Sequence, residues 1–127
     1  ITWDPKGGLP FTESEHREIM TELDKAYVSG ITFSGGDPLH PANVEGVTAL
    51  AKEIREKYPD KTIWLYTGSL WEEIQNLEIV RYLDVCVDGE FEVDKKELLL
   101  KWKGSSNQRV IDVPASLREG KAVLYQD

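Results

Sequence analysis

Four short stretches of this chain carry residue types suited to holding a small polar ligand. They are Ser34-Gly35-Gly36-Asp37-Pro38, Thr67-Gly68, Asp88-Gly89 and Gly104-Ser105-Ser106-Asn107-Gln108-Arg109. The paired glycines Gly35 and Gly36 let the backbone come close to a ligand and aim N–H and C=O groups at it. Such groups can hold the ammonium and carboxylate of an amino acid. The same stretch also reads as a tight turn before a helix, and both readings stand. Asp88-Gly89 taken alone reads as a turn, and residues 104–107 read as a polar loop. Arg109 lies inside an apolar run, where a guanidinium needs an acidic partner or an anionic ligand. Cys86, between Val85 and Val87, reads as a buried structural thiol. His16 and His40 have no metal-ligand spacing with any cysteine or carboxylate pair. His16 reads as a surface residue, and His40 as a loop residue close to the Gly-Gly turn.

The elements that must position these residues alternate. Thr12-Glu13-Ser14-Glu15 reads as a capping box that opens a helix carrying Ile19, Leu23 and Tyr27, with Gly30 as its left-handed end. Residues 31–34 read as a strand. A second helix is expected over 43–58, with Val44, Val47, Leu50, Ala51 and Ile54 on one stripe and Pro59 stopping it. A strand follows over 62–67. Ser69-Leu70-Trp71-Glu72 reads as a capping box for a helix carrying Trp71, Ile74 and Leu77. Residues 85–87 and 108–113 complete the strands, the last one ended by Pro114, and 122–125 offer a short edge strand. The charged stretch 90–103 reads as a solvated face. Trp64 and Trp71 fit helix–sheet packing, and Trp3 and Trp102 suit the covering of ends. Strands that alternate with helices and lack polar alternation predict a parallel sheet covered by helices. In such sheets ligands bind at the carboxyl ends of the strands, where three of the four stretches fall.

Composition sets bounds on partners. The 127 residues fit one α/β domain, with no repeats or linkers. Lys plus Arg number 15 against 23 Asp plus Glu, a net charge of −8, so no basic stripe for nucleic acid is expected. No apolar run approaches the ~20 residues of a membrane span. One cysteine excludes an internal disulfide and fits a reducing cytoplasm.

Taken in order, Ser34-Gly35-Gly36-Asp37-Pro38-Leu39-His40-Pro41, Trp64-Leu65-Tyr66-Thr67-Gly68, Val87-Asp88-Gly89-Glu90-Phe91 and Gly104-Ser105-Ser106-Asn107-Gln108-Arg109 resemble the anaerobic ribonucleoside-triphosphate reductase-activating proteins. These form a branch of the radical S-adenosylmethionine (SAM) superfamily. Thr2-Trp3, Gly7-Gly8 and Pro10-Phe11 resemble the family segment just after the cluster loop. The resemblance covers essentially the whole chain. It implies a partial, open (β/α) barrel of radical SAM type, here without its first strand and cluster loop, which are expected upstream of Ile1. The family's Cys-x3-Cys-x2-Cys loop does not occur in this sequence, and Cys86 cannot replace it.

The resemblance further implies a [4Fe–4S] cluster in the intact enzyme that cleaves SAM to a 5′-deoxyadenosyl radical. That radical then takes a hydrogen atom from a glycine loop of anaerobic ribonucleoside-triphosphate reductase. An electron donor such as flavodoxin is implied, with no nucleic-acid or membrane partner. Residue by residue, Gly35, Gly36 and Asp37 match the motif that holds the methionine moiety, and Pro38 shapes that turn. Thr67 and Asp88 match strand-end positions facing SAM. Asn107, Gln108 and Arg109 match a segment near the ribose or carboxylate. The chain alone is expected to be inactive. The alternatives are a cluster-less module that binds SAM or the reductase without catalysis, and an unrelated α/β enzyme binding phosphate at Gly35-Gly36.

Overall fold

The computed structural model describes residues 2–3, 13–26, 28–33, 39, 43–89 and 107–125. Helix α1 spans Glu13–Leu23 and buries Ile19 and Leu23, the apolar positions one turn apart. Thr12 and Tyr27 lie outside the described residues. After α1, Lys61 Nζ donates to the carbonyls of Lys25 (3.0 Å) and Val28 and so holds the connection that follows the helix. Strand β2 is Gly30–Phe33, so Gly30 opens a strand and is not a left-handed helix end. A side chain at Gly30 would overlap the Thr62 carbonyl oxygen of the neighbouring strand, which explains why a glycine is needed there.

Helix α2, Val44–Lys57, buries Val47, Leu50, Ala51 and Ile54 as its stripe predicts. Strand β3 is Thr62–Tyr66 and β4 is Val85–Asp88. Between them α3 covers only Trp71–Ile74, and a 3₁₀ helix follows over Glu78–Tyr82. The expected Ser69/Glu72 capping box does not form. Leu70 precedes the first turn, and its N–H is held by Glu73 Oε1 at 2.8 Å. Leu77 lies beyond α3 and is 39% exposed.

A two-residue strand β1, Thr2–Trp3, completes one edge beside β2. The other edge is β5, Arg109–Asp112. Sheet order is β1-β2-β3-β4-β5, with β1 to β4 parallel and β5 antiparallel to β4, its Arg109 opposite Asp88. The expectation of a wholly parallel sheet is therefore corrected. A short β-branched run reads the same in either direction, and only the register decides it. The sheet is open among the described residues.

Val113 does not end β5. It begins helix α4, Val113–Glu119, in which Asp112 Oδ1 accepts from Ala115 N at 3.0 Å and Gly120 closes the helix at φ +71°. The expected edge strand over 122–125 reduces to a bridge between Leu124 and Ile111, flanked by Asp112 N–H to Val123 O (2.9 Å) and Tyr125 N–H to Val110 O (2.8 Å).

The two sheet faces differ. Ile31, Phe33, Ile63, Leu65, Cys86 and Ile111 join the helix residues in one buried cluster. Thr32, Trp64, Tyr66 and Val110 alternate with them and are half-buried on the other face. Among the described residues Trp64 lies on the face opposite the helix-covered core, not in that core as expected. Its ring meets Tyr125 edge to face, 5.6 Å between centroids. Trp71 does pack in the core.

Candidate functional site

Parallel register brings the carboxyl ends of β2, β3 and β4 to one edge of the sheet. Phe33 pairs with Leu65, Leu65 with Cys86, and Tyr66 with Val87. Because β5 runs the other way, its first residues, not its last, arrive at that edge. Thr67, Asp88, Asn107, Gln108 and Arg109, far apart in the chain, are neighbours there. Gly35, Gly36, Asp37 and Pro38 follow β2 in the chain and lie outside the described residues, as does His40.

A ladder of polar contacts ties these ends together. Thr67 N–H donates to Val87 O at 3.0 Å, and the buried Thr67 hydroxyl accepts from Ser69 N at 3.1 Å. Gly89 N–H donates to Ser69 O at 2.9 Å. Gly89 has φ +91°, a conformation other residues adopt only with strain, so the glycine is what lets the chain leave β4 here. Its carbonyl accepts from Nε2 of the buried Gln108 at 2.9 Å.

The ionic centre is Asp88, whose side chain is 0% exposed. Its Oδ2 accepts from the Trp71 N–H at 2.8 Å, and its Oδ1 from the Arg109 N–H at 3.2 Å. The Arg109 guanidinium closes on it through Nε (3.1 and 3.2 Å) and Nη2 (2.5 Å). The outer edge of the same guanidinium meets Glu72, with Nη2 at 2.7 Å and Nη1 at 3.3 Å from its oxygens. Hydrogen bonds donated to Asp88 first, then to Glu72, raise Arg109 above its ordinary value and keep it charged. In turn the Arg109 hydrogen bond holds Glu72 below the ordinary glutamate range.

The sequence left two possible partners for Arg109. The structure supplies acids, one buried and one exposed. Glu72 was missed because the capping-box pattern drew it into a helix start that Glu73 performs instead. Asp88 and Arg109 share their sheet face with Cys86 and Ile111, so both side chains lie on the helix-bearing side, against α3. Tyr66 lies on the other face, where burial raises its phenol above the ordinary value.

The residues do not fit an iron–sulfur cluster. The one cysteine, Cys86, is 0% exposed in the centre of β4, and one thiolate cannot hold four irons. Among the described residues no group of three His, Cys, Asp or Glu side chains could hold a metal ion. Nor is any helix among them long and apolar enough to cross a membrane.

Residues 1–111 match a family described as a 4Fe-4S single cluster domain. An anaerobic ribonucleoside-triphosphate reductase-activating protein of Enterobacteria phage T4 is 40% identical over 109 residues, covering 86% of this chain and 69% of the relative. The protein of that name from Escherichia coli is 41% identical over 113 residues, covering 86% and 73%. The one from Haemophilus influenzae is 35% identical over 111 residues, covering 84% and 72%. No solved structure matches this chain.

Proposed function

Because this chain belongs to the anaerobic ribonucleoside-triphosphate reductase-activating proteins, we propose that it is the SAM-binding domain of an activase that generates a glycyl radical on that reductase. The observation that carries this reading is the 35–41% identity over most of the chain to relatives bearing that name. The gathering of Thr67, Asp88 and 107–109 at one sheet edge supports it. Strand order rising in sequence without reversal is singly wound, which supports a partial, open (β/α) barrel over 1–127 as one domain. The intact enzyme would work in the cytoplasm with a reductant such as flavodoxin.

Within this reading Gly35, Gly36, Asp37 and Pro38 present backbone groups to the methionine moiety. Asn107 and Thr67 line the adjoining strand ends. Asp88 and Gln108 act by position: their polar atoms hold Trp71, Arg109 and Gly89, and so set the backbone that faces the ligand. The cluster named by the family domain would supply the electron that cleaves SAM. This chain's cysteine cannot hold it, so no electron-transfer step belongs to these residues. The lone buried thiol favours a second reading for the chain taken by itself, as a module that binds SAM or the reductase without catalysis.

The test is a chemical-shift titration with SAM. Without a cluster iron to chelate the amino-acid head, binding is expected near millimolar, about −4 kcal/mol. Shifts are expected at Thr67, Gly89 and Asn107. Gly36→Val should abolish binding by blocking close backbone approach. Shifts confined elsewhere, or a Gly36→Val protein that binds like wild type, overturn the assignment.

A further inference from the structure

After α4 the chain turns back on the sheet. Gly120, at φ +71°, closes the helix, and Leu124 comes to lie beside Ile111 along the outer edge of β5. Asp112 N–H donates to Val123 O at 2.9 Å, and Tyr125 N–H to Val110 O at 2.8 Å. A further tie comes from α4. The buried Ser116 hydroxyl donates to Asp112 O at 2.7 Å and accepts from the Val123 N–H at 2.8 Å. On the face away from the core cluster the Tyr125 ring meets Trp64, and the two line one concavity with Val85.

Residues 121–125 thus take the place of a further strand without the burial of one. Leu124 is 58% exposed, and Ala122, Val123 and Tyr125 are half-buried. The match to the 4Fe-4S single cluster domain stops at residue 111, before α4 and this segment. Two successive amides show how separable it is. The Asp112 N–H points out to Val123, whereas the Val113 N–H points in to Asp84 O at 3.1 Å. The segment can therefore leave while β5 keeps its place on β4. Segments with few buried contacts open at a small fraction of the free energy of global unfolding. Opening frees Val110 O and the Asp112 N–H on a sheet edge, and such an edge takes an added antiparallel strand.

We propose that residues 121–125 are a displaceable strap that opens as one unit and closes the β5 edge to an extended peptide segment of a partner protein. The strap itself shows what the edge accepts: an antiparallel segment with an aliphatic residue opposite Ile111, followed by an aromatic one that reaches Trp64. Because it is tethered, the strap competes at high effective concentration, so the edge stays closed until a better strand arrives. Failure of this proposal leaves the SAM reading untouched, since no residue of that reading lies in the strap.

Native-state amide hydrogen exchange on the full chain tests the opening. Asp112, Val123 and Tyr125 should share one protection, about 100-fold below that of Val113 and of Asp84, whose N–H donates to Ile63 O. Ser116→Ala should speed Asp112 and Tyr125 together by about fivefold. Val113 and Asp84 should not change, which also reports that the variant is folded. In Tyr125→Pro, which removes the N–H on Val110 O, an end-blocked peptide of residues 121–125 at millimolar concentration should slow Asp112 exchange again. A scrambled peptide of the same composition should not. Asp112 protection equal to that of Val113, or unequal protection among the three strap amides, overturns the opening as a unit. Slowing by both peptides, or by neither, overturns the strand-accepting edge.

Discussion

Replacing Asp88 with alanine should destabilise the fold before it informs on any ligand. The carboxylate accepts from the Trp71 N–H, the Arg109 N–H, and Arg109 Nε and Nη2, all from a side chain with no solvent exposure. Breaking a fully buried pair by removing one partner costs about 3–5 kcal/mol. Here Arg109 is one-third exposed and keeps Glu72, which lowers the charge part of that cost. The orphaned Trp71 N–H still adds about 1–3 kcal/mol. We expect about 3 kcal/mol for Asp88→Ala, and about 2 for Asp88→Asn, which keeps an acceptor oxygen. In a domain of this size 3 kcal/mol lowers Tm by about 10 °C. Urea unfolding followed by far-ultraviolet circular dichroism measures it, with Glu72→Ala as the comparison, expected to lose no more than about 1 kcal/mol. An Asp88→Ala protein within 1 kcal/mol of wild type would show that the array at the strand ends does not hold the sheet edge together.

Gly30→Ala should cost about 3 kcal/mol, because its methyl group meets the Thr62 backbone carbonyl as well as its Oγ1, and the backbone cannot move aside as a side chain can; a wild-type urea midpoint would contradict the close approach of β2 and β3. Lys57 first, and His16 next, hold Glu53 below its ordinary value of 4.5. Its contribution is therefore complete above about pH 4.5 and is lost as the pH falls through the depressed value, so Glu53→Gln should flatten the acid limb of the stability curve; because Glu53 also raises Lys57 above its ordinary 10.5, the same change should remove the stability that wild type loses at alkaline pH above that value. Anaerobic reconstitution of this chain with iron and sulfide, then dithionite and SAM, should yield no 5′-deoxyadenosine above a protein-free control, since three thiolates are needed and the chain has Cys86 only; product above control would refute that requirement.

Local sequence determined most of the elements, because their signals act over a few residues. The stripe Val47, Leu50, Ala51 and Ile54 states which side of α2 is buried, and the β-branched runs mark β2 to β4. The ordered motifs were enough to identify the family. Even α4 is legible: Asp112, Pro114 and Gly120 are a helix cap, an early-turn proline and a left-handed stop, although a proline after an apolar run reads equally as the end of a strand. Tertiary structure alone decided three matters. It set the direction of β5, since an apolar strand is paired by partners 21 to 27 residues away and its own residues do not record which way they run. It put Trp64 on the half-buried face against Tyr125, because alternation says that neighbours oppose one another but not which side the helices take. It gave Arg109 to Asp88 and Glu72, because a guanidinium in an apolar run demands an anion without naming it. Only the meeting of β4, β5 and α3 puts two carboxylates within its reach.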